Sequence, residues 1–184
     1  MTPLQPALFL DRDGVIIHNR DGYVRSWEDV AIYPAALTAL ARLAPRPLAI
    51  VLITNQAGVG HGLIPLATAW EINRRLTEVV EAAGGRLDAV YLCPHRPDEG
   101  CSCRKPAPGL ILQAAHDLGL DLGRATVIGD ALSDLGAGWA AGVARVALVE
   151  TGRGAQQASL PEAAHLPPFP RFPDLSAALD ALYP

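Results

Sequence analysis

Asp11-Arg12-Asp13-Gly14 places two carboxylates one residue apart, directly after the apolar run Ala7-Leu8-Phe9-Leu10. A run this short and apolar reads as a buried strand, and the glycine lets the backbone turn away from its end. In so tight a turn both carboxyl groups can face one bound group, Asp11 as nucleophile and Asp13 as proton donor. Asp and Gly also build ordinary turns, so the chemistry depends on what else reaches the same place.

Three other places supply groups that suit it. Leu48-Ala49-Ile50-Val51-Leu52-Ile53 is a second buried strand ending on Thr54-Asn55-Gln56, and Gly58, Gly60 and Gly62 after it would allow close backbone approach to an anion. Ala125-Thr126-Val127-Ile128 is another, ending on Gly129-Asp130. Of the fifteen basic residues fourteen are Arg, so Lys105 is the sole lysine, a compact ammonium suited to a phosphoryl oxygen. Asp11 and Asp130, with the backbone carbonyl of Asp13, offer the hard oxygen ligands that Mg²⁺ prefers. Lys105 and Thr54 would hold the other phosphoryl oxygens, offsetting the repulsion between a carboxylate nucleophile and a phosphate.

The three cysteines are clustered as Cys93-Pro94-His95 and Cys101-Ser102-Cys103. Three thiolates and one imidazole match the number and softness of a closed tetrahedral Zn²⁺ site better than a disulfide framework. Such a site would stiffen a polar loop so that Arg104 and Lys105 emerge at fixed positions.

The elements that must position these groups alternate. After the first strand, 16–33 is a polar loop and a candidate substrate loop; Pro34–Leu43 is a helix; the second strand follows, then a long helix from Pro65 to about Ala83. Ala89–Leu92 is a third strand, Pro108–Leu118 a helix, Ala125–Ile128 the fourth strand, a short helix starts near Ser133, and Arg145–Val149 is the fifth strand. The proline-rich stretch 155–173 reads as a surface-wrapping segment, and a terminal helix runs from Asp174 to about 182. Strand-helix alternation implies an α/β, Rossmann-like doubly wound and mostly parallel sheet, with no connection long enough for a cap domain. Residues 1–184 therefore read as one domain, and Asp11, Thr54, Cys93 and Asp130, each at a strand's carboxyl end, fall on one rim.

Composition excludes other classes. The chain is 50% hydrophobic with a net charge of −4, which gives no reason to expect disorder or a nucleic-acid partner. Met1–Pro6 carries no basic region leading into an apolar core, and no run approaches membrane-spanning length, so the expectation is a cytoplasmic protein with no membrane partner. With no apolar outer stripe, a monomer is expected.

Asp11-Arg12-Asp13-Gly14-Val15, Ile53-Thr54-Asn55, Arg104-Lys105-Pro106 and Gly129-Asp130 resemble the four ordered motifs of the haloacid dehalogenase superfamily of phosphatases. The resemblance implies an aspartyl-phosphate at Asp11, acid and base work by Asp13, phosphoryl stabilisation by Thr54 and Lys105, and Mg²⁺ on Asp11, Asp13 and Asp130, with Asp134 orienting the metal's waters. With the zinc loop, the chain is similar to the D-glycero-D-manno-heptose 1,7-bisphosphate 7-phosphatases and histidinol-phosphate phosphatases, through Gly22-Tyr23-Val24, the stretch Thr54–Gly60 and Lys105–Gly109. Two residues depart from that group: Ala131 stands where a basic residue is common, and His61 where an arginine is. The resemblance makes Arg20, Asp21, Gly22, Tyr23, Asn55, Gln56, Ala57 and Arg104 the expected contacts of a small phosphorylated substrate, with removal of the 7-phosphate of heptose 1,7-bisphosphate the expected reaction and histidinol phosphate the alternative substrate. A reading of a different class is a non-catalytic, zinc-stiffened phosphate-binding domain, which would have no use for Asp11 beside Asp13.

Overall fold

The computed structural model describes residues 4–184. Six strands form one sheet in the order β3-β2-β1-β4-β5-β6, and every pair is parallel: β1 (Ala7–Leu10), β2 (Ala49–Asn55), β3 (Ala89–Cys93), β4 (Thr126–Gly129), β5 (Arg145–Val149) and β6 (Arg171–Phe172). The chain first winds outward from β1 through β2 to β3, then returns to the other side of β1 and continues through β4 to β6. The direction reverses between β1 and β4, which is where an open α/β sheet leaves a crevice beyond its carboxyl ends.

Both faces of the sheet are covered at its centre, so the central strands are mostly apolar; all four residues of β1 are fully buried. Leu8, Leu10, Ile50, Leu52 and Ile128 pack against α1 (Pro34–Leu43), α3 (Leu66–Ala82) and α7 (Leu175–Leu182). Phe9, Val51, Ile53, Val127 and Leu148 pack on the opposite face against α4 (Gly109–Leu118) and α5 (Leu132–Ala141). Burying one such Leu, Ile or Phe contributes about 1.5–3 kcal/mol, and the ladder hydrogen bonds hold the central strands in register. Leu10 is thereby aligned with Leu52 on one side and Ile128 on the other, bringing the next residues of all three strands to one rim.

The expected helices are present with small shifts: Pro65 caps α3 from outside, and α5 begins at Leu132. The Asp174 carboxylate caps α7, accepting from Ala177 N–H at 2.8 Å. The stretch 155–173 does more than wrap the surface. It contains most of α6 (Gly154–Ala158), a 3-10 turn at Pro161–His165 and the edge strand β6, to which Leu148 N–H of β5 and the Glu150 N–H just beyond it donate at the carbonyls of Pro170 and Phe172. The glycine-rich stretch after Gln56 forms a short helix, α2 (Ala57–Gly60).

Candidate active site

A cleft of about 570 Å³ opens over the carboxyl ends of the central strands. Asp11, Asp13, Arg20, Asp21, Gly22, Tyr23, Asn55, Gln56, Ala57, Arg104 and Lys105 line it, so most of the expected residues converge. They come from the β1 turn, the following loop, the end of β2 and the cysteine-rich loop.

Lys105 is the centre of the arrangement. Its ammonium donates to Asp11 Oδ1 at 2.8 Å and to the Ile53 carbonyl at 2.9 Å, and lies 2.6 Å from Asp134 Oδ1. With a side chain only 2% exposed, it has three acceptors for three N–H groups. Burial opposes its charge, but the adjacent Asp11 and Asp134 carboxylates outweigh this and push its pKa upward. Burial pushes the Asp11 carboxyl up to about 8 against the pull of Lys105, and pushes Asp130 up to about 6.

Carboxylate oxygens of Asp11, Asp130 and Asp134 lie within 4.8 Å of one another. Asp130 is wholly buried, and its Oδ1 has no hydrogen-bond partner, while its Oδ2 accepts from Arg153 N–H at 2.9 Å. A buried, unpaired carboxylate oxygen beside a second carboxylate is costly alone. It fits a hard divalent cation, and Asp11 and Asp130 are the side chains that would hold Mg²⁺. Asp134 engages Lys105 through Oδ1 and accepts from Ala131 N–H at 3.0 Å through Oδ2. Gly129 makes this possible, because a Cβ there would run into the Asp134 carboxylate. At Gly14, where φ is +85°, a Cβ would likewise run into Asp130.

The Asp13 carboxylate points to protein partners. It accepts from Arg12 Nε at 3.0 Å and from Gln56 Nε2 at 3.1 Å while still lining the cleft, and it is not among the carboxylates that cluster with Asp11 and Asp130. Thr54 is placed differently from expectation: it is fully buried, is not among the cleft-lining residues, and its hydroxyl oxygen accepts from Gln56 Nε2 at 2.8 Å. Asn55 lines the cleft, yet both ends of its amide engage the Lys105 main chain. Arg20 is paired with Asp29 at 3.2 Å, and Arg104 donates to the His95 carbonyl at 3.2 Å. Tyr23 adopts φ of +78°, rare for a side chain of its size. A Cβ at Gly58 would press on Ile64 and Tyr23, and one at Gly60 on Pro94 and Arg96. These glycines let α2 pack closely against its surroundings.

Cys93, His95, Cys101 and Cys103 converge beside the cleft. Their sulfurs are 3.2–3.6 Å apart, and His95 Nδ1 lies 3.2 Å from Cys103 Sγ. Disulfide sulfurs would be about 2.05 Å apart; four zinc ligands with Zn–S of about 2.3 Å place sulfurs about 3.8 Å apart. Burial and hydrogen bonds with the neighbouring thiols push the Cys103 thiol up, while hydrogen bonds from its neighbours hold Cys101 down. The donor set fits structural Zn²⁺. It leads directly into Arg104 and Lys105.

Asn19, from the candidate substrate loop, also lines the cleft, as do Ser133, Arg153 and Gln157, which sequence reasoning missed. Arg153 was accessible to the same strand-end logic, since Thr151-Gly152-Arg153 follows β5.

A six-stranded parallel sheet with carboxylates and a buried lysine at its switch point defines a phosphoryl-transfer hydrolase of the haloacid dehalogenase type, and residues 102–178 match the HAD-hydrolase-like family model. The D-glycero-beta-D-manno-heptose-1,7-bisphosphate 7-phosphatase of Bordetella bronchiseptica is 40% identical over 158 residues, 84% of this chain and 88% of the relative. That of Pseudomonas aeruginosa is 37% identical over 177 residues, 95% and 96% of the two chains. The crystal structure of the D,D-heptose 1,7-bisphosphate phosphatase from B. bronchiseptica, complexed with magnesium and phosphate, superposes with a TM-score of 0.84 at 36% identity, covering 96% of this chain and 97% of that one. The chain belongs to the heptose bisphosphate phosphatase family of the haloacid dehalogenase superfamily, and is a phosphoric monoester hydrolase. Among the described residues no helix is long and apolar enough to cross a membrane.

Proposed function

We propose that this chain is a Mg²⁺-dependent phosphatase that removes the 7-phosphate of D-glycero-D-manno-heptose 1,7-bisphosphate through an aspartyl-phosphate at Asp11. The observation that carries the reading is Asp11 itself, buried, bonded to Lys105 and within reach of the Asp130 carboxylate. The likeness to heptose bisphosphate phosphatases over nearly the whole chain supports the choice of substrate.

Mg²⁺, when bound by Asp11, Asp130 and the Asp13 carbonyl, supplies positive charge that lets an anionic nucleophile approach an anionic phosphate. Lys105 holds Asp11 in place and adds charge beside the phosphoryl oxygens. An Asp11 carboxylate oxygen bonds to phosphorus as the bond from phosphorus to the sugar oxygen breaks, and Asp13 gives that oxygen its proton. Asp13 then takes a proton from water as the water oxygen attacks phosphorus, breaking the bond to Asp11 and releasing phosphate. Thr54 acts from beneath, holding Gln56, and Asn55 acts through the lysine that it positions. Arg104, at the cleft wall, is suited to fork onto the sugar's other phosphate. Cys93, His95, Cys101 and Cys103 hold structural Zn²⁺, and the protein works in the cytoplasm as a monomer.

Parallel assays on heptose 1,7-bisphosphate and histidinol phosphate test the substrate. The expected result is higher kcat/KM on the heptose; a tenfold preference for histidinol phosphate would overturn it. Asp11→Asn should abolish turnover and keep phosphate binding, whereas equal hydrolysis by both proteins would remove Asp11 from the chemistry.

A further inference from the structure

Arg12, between the two catalytic aspartates, is the largest fully buried side chain, with only 1% of the residue exposed. Its guanidinium grips Asp13 with two donors, Nε to Oδ2 at 3.0 Å and Nη2 to Oδ1 at 3.3 Å. A third donor, Nη1, reaches Asn73 Oδ1 at 2.9 Å, sixty-one residues along the chain on α3. Asn73 is itself 1% exposed and sits on a helix face otherwise formed by Ala69, Ile72, Leu76 and Val80. Its Nδ2 has no hydrogen-bond partner. An amide buried on an apolar face with half its capacity unmet is a cost to folding, and a leucine would pack there without it. The half that is met points at Arg12.

We propose that Asn73 and Arg12 form a positioning chain for Asp13, running from the core helix α3 to the proton-transferring carboxylate, and that Asn73 is retained for this and not for stability. The planar fork fixes the plane of the carboxylate, and the anchor on α3 fixes the fork. Gln56 Nε2 holds Asp13 from the other side, at 3.1 Å from Oδ2. A proton donor displaced by a fraction of an ångström fails mainly where the leaving oxygen needs its proton. The inference rests on the reading of Asp13 as acid and base given above.

The test uses the intact protein with Mg²⁺ and two substrates: heptose 1,7-bisphosphate, whose alkoxide leaving group requires a proton, and p-nitrophenyl phosphate, whose phenolate does not. The quantity read is kcat/KM, which covers the steps through departure of the leaving group. Asn73→Leu and Arg12→Lys are each expected to lower kcat/KM on the sugar phosphate about tenfold or more, while p-nitrophenyl phosphate stays within about twofold. Inhibition by inorganic phosphate should be unchanged. Equal losses on both substrates would mark the pair as structural and overturn the proposal, as would no loss on either. If Asn73→Leu does not fold, Asn73→Ser, which keeps a shorter acceptor, is read in the same way. A wild-type protein inactive on both substrates would instead contradict the proposed function.

Discussion

Asn55 holds Lys105 by both ends of its amide: Nδ2 donates to the Lys105 carbonyl and Oδ1 accepts from the Lys105 N–H, each at 3.1 Å. The last residue of β2 is thus bonded to the main chain of the residue that follows the cysteine-rich loop by two. The ammonium of Lys105 reaches Asp11 because its backbone is fixed at this point, and the ammonium itself donates to the carbonyl of Ile53, two residues earlier on the same strand.

Asn55→Ala removes both bonds. The expected loss of stability is about 1–2 kcal/mol, measured by chemical denaturation. A larger effect is expected on kcat, since the lysine loses its fixed origin while keeping its charge. Full activity at reduced stability would show that Lys105 finds Asp11 without the clamp.

Lys105→Met leaves Asp11 and Asp134 buried without their cation. Breaking a buried ion pair from one side costs about 3–5 kcal/mol, so the variant should unfold at lower denaturant and lose activity. Mg²⁺ should recover part of the stability but not the turnover. Lys105→Arg should also fail, because a planar fork does not reproduce an ammonium's donation to Asp11, Asp134 and Ile53 in so enclosed a space.

Chelation is expected to act at two places with different signatures. Removing Mg²⁺ should stop turnover with little change in melting temperature. Stripping Zn²⁺, or making Cys101→Ser, should lower the melting temperature and the activity together, since the loop that carries Arg104 and Lys105 loses its closure. Adding Zn²⁺, and not Mg²⁺, should restore the stripped protein; metal analysis showing no zinc in active enzyme would contradict the assignment.

Gly129→Ala and Gly14→Ala place methyl groups against Asp134 and Asp130 respectively. Both should cut activity at least tenfold, Gly14→Ala the more because φ of +85° adds backbone strain. Kinetics at raised Mg²⁺ separates them: Gly14→Ala should need more Mg²⁺, and Gly129→Ala, acting through Lys105, should not.

The strand ends were legible because buried parallel strands read as unbroken apolar runs, and the runs of β1 and β4 stop at the carboxylates that cluster at the carboxyl ends of the sheet. Asp11 and Asp130 follow directly from that. β6 was hidden because Arg171-Phe172 lies between Pro170 and Pro173; proline cannot donate to a ladder, but Pro170 contributes its carbonyl, which suffices at a sheet edge. The orientations of Thr54, Asn55 and Asp134 were hidden for another reason. Residue type and spacing bring a side chain to the rim, but which neighbour takes its hydrogen bonds is decided by the tertiary contacts, here Gln56 and Lys105. Arg12 was similarly opaque, since its partner lies on α3, distant in sequence.

The most direct test of the central claim is acid quench of the enzyme during turnover with Mg²⁺ and heptose 1,7-bisphosphate, followed by mass spectrometry of the peptide that contains Asp11. The account predicts a phosphoryl group on Asp11, absent from Asp11→Asn. A phosphoryl group on another residue, or pre-steady-state turnover with none on the chain, would contradict it.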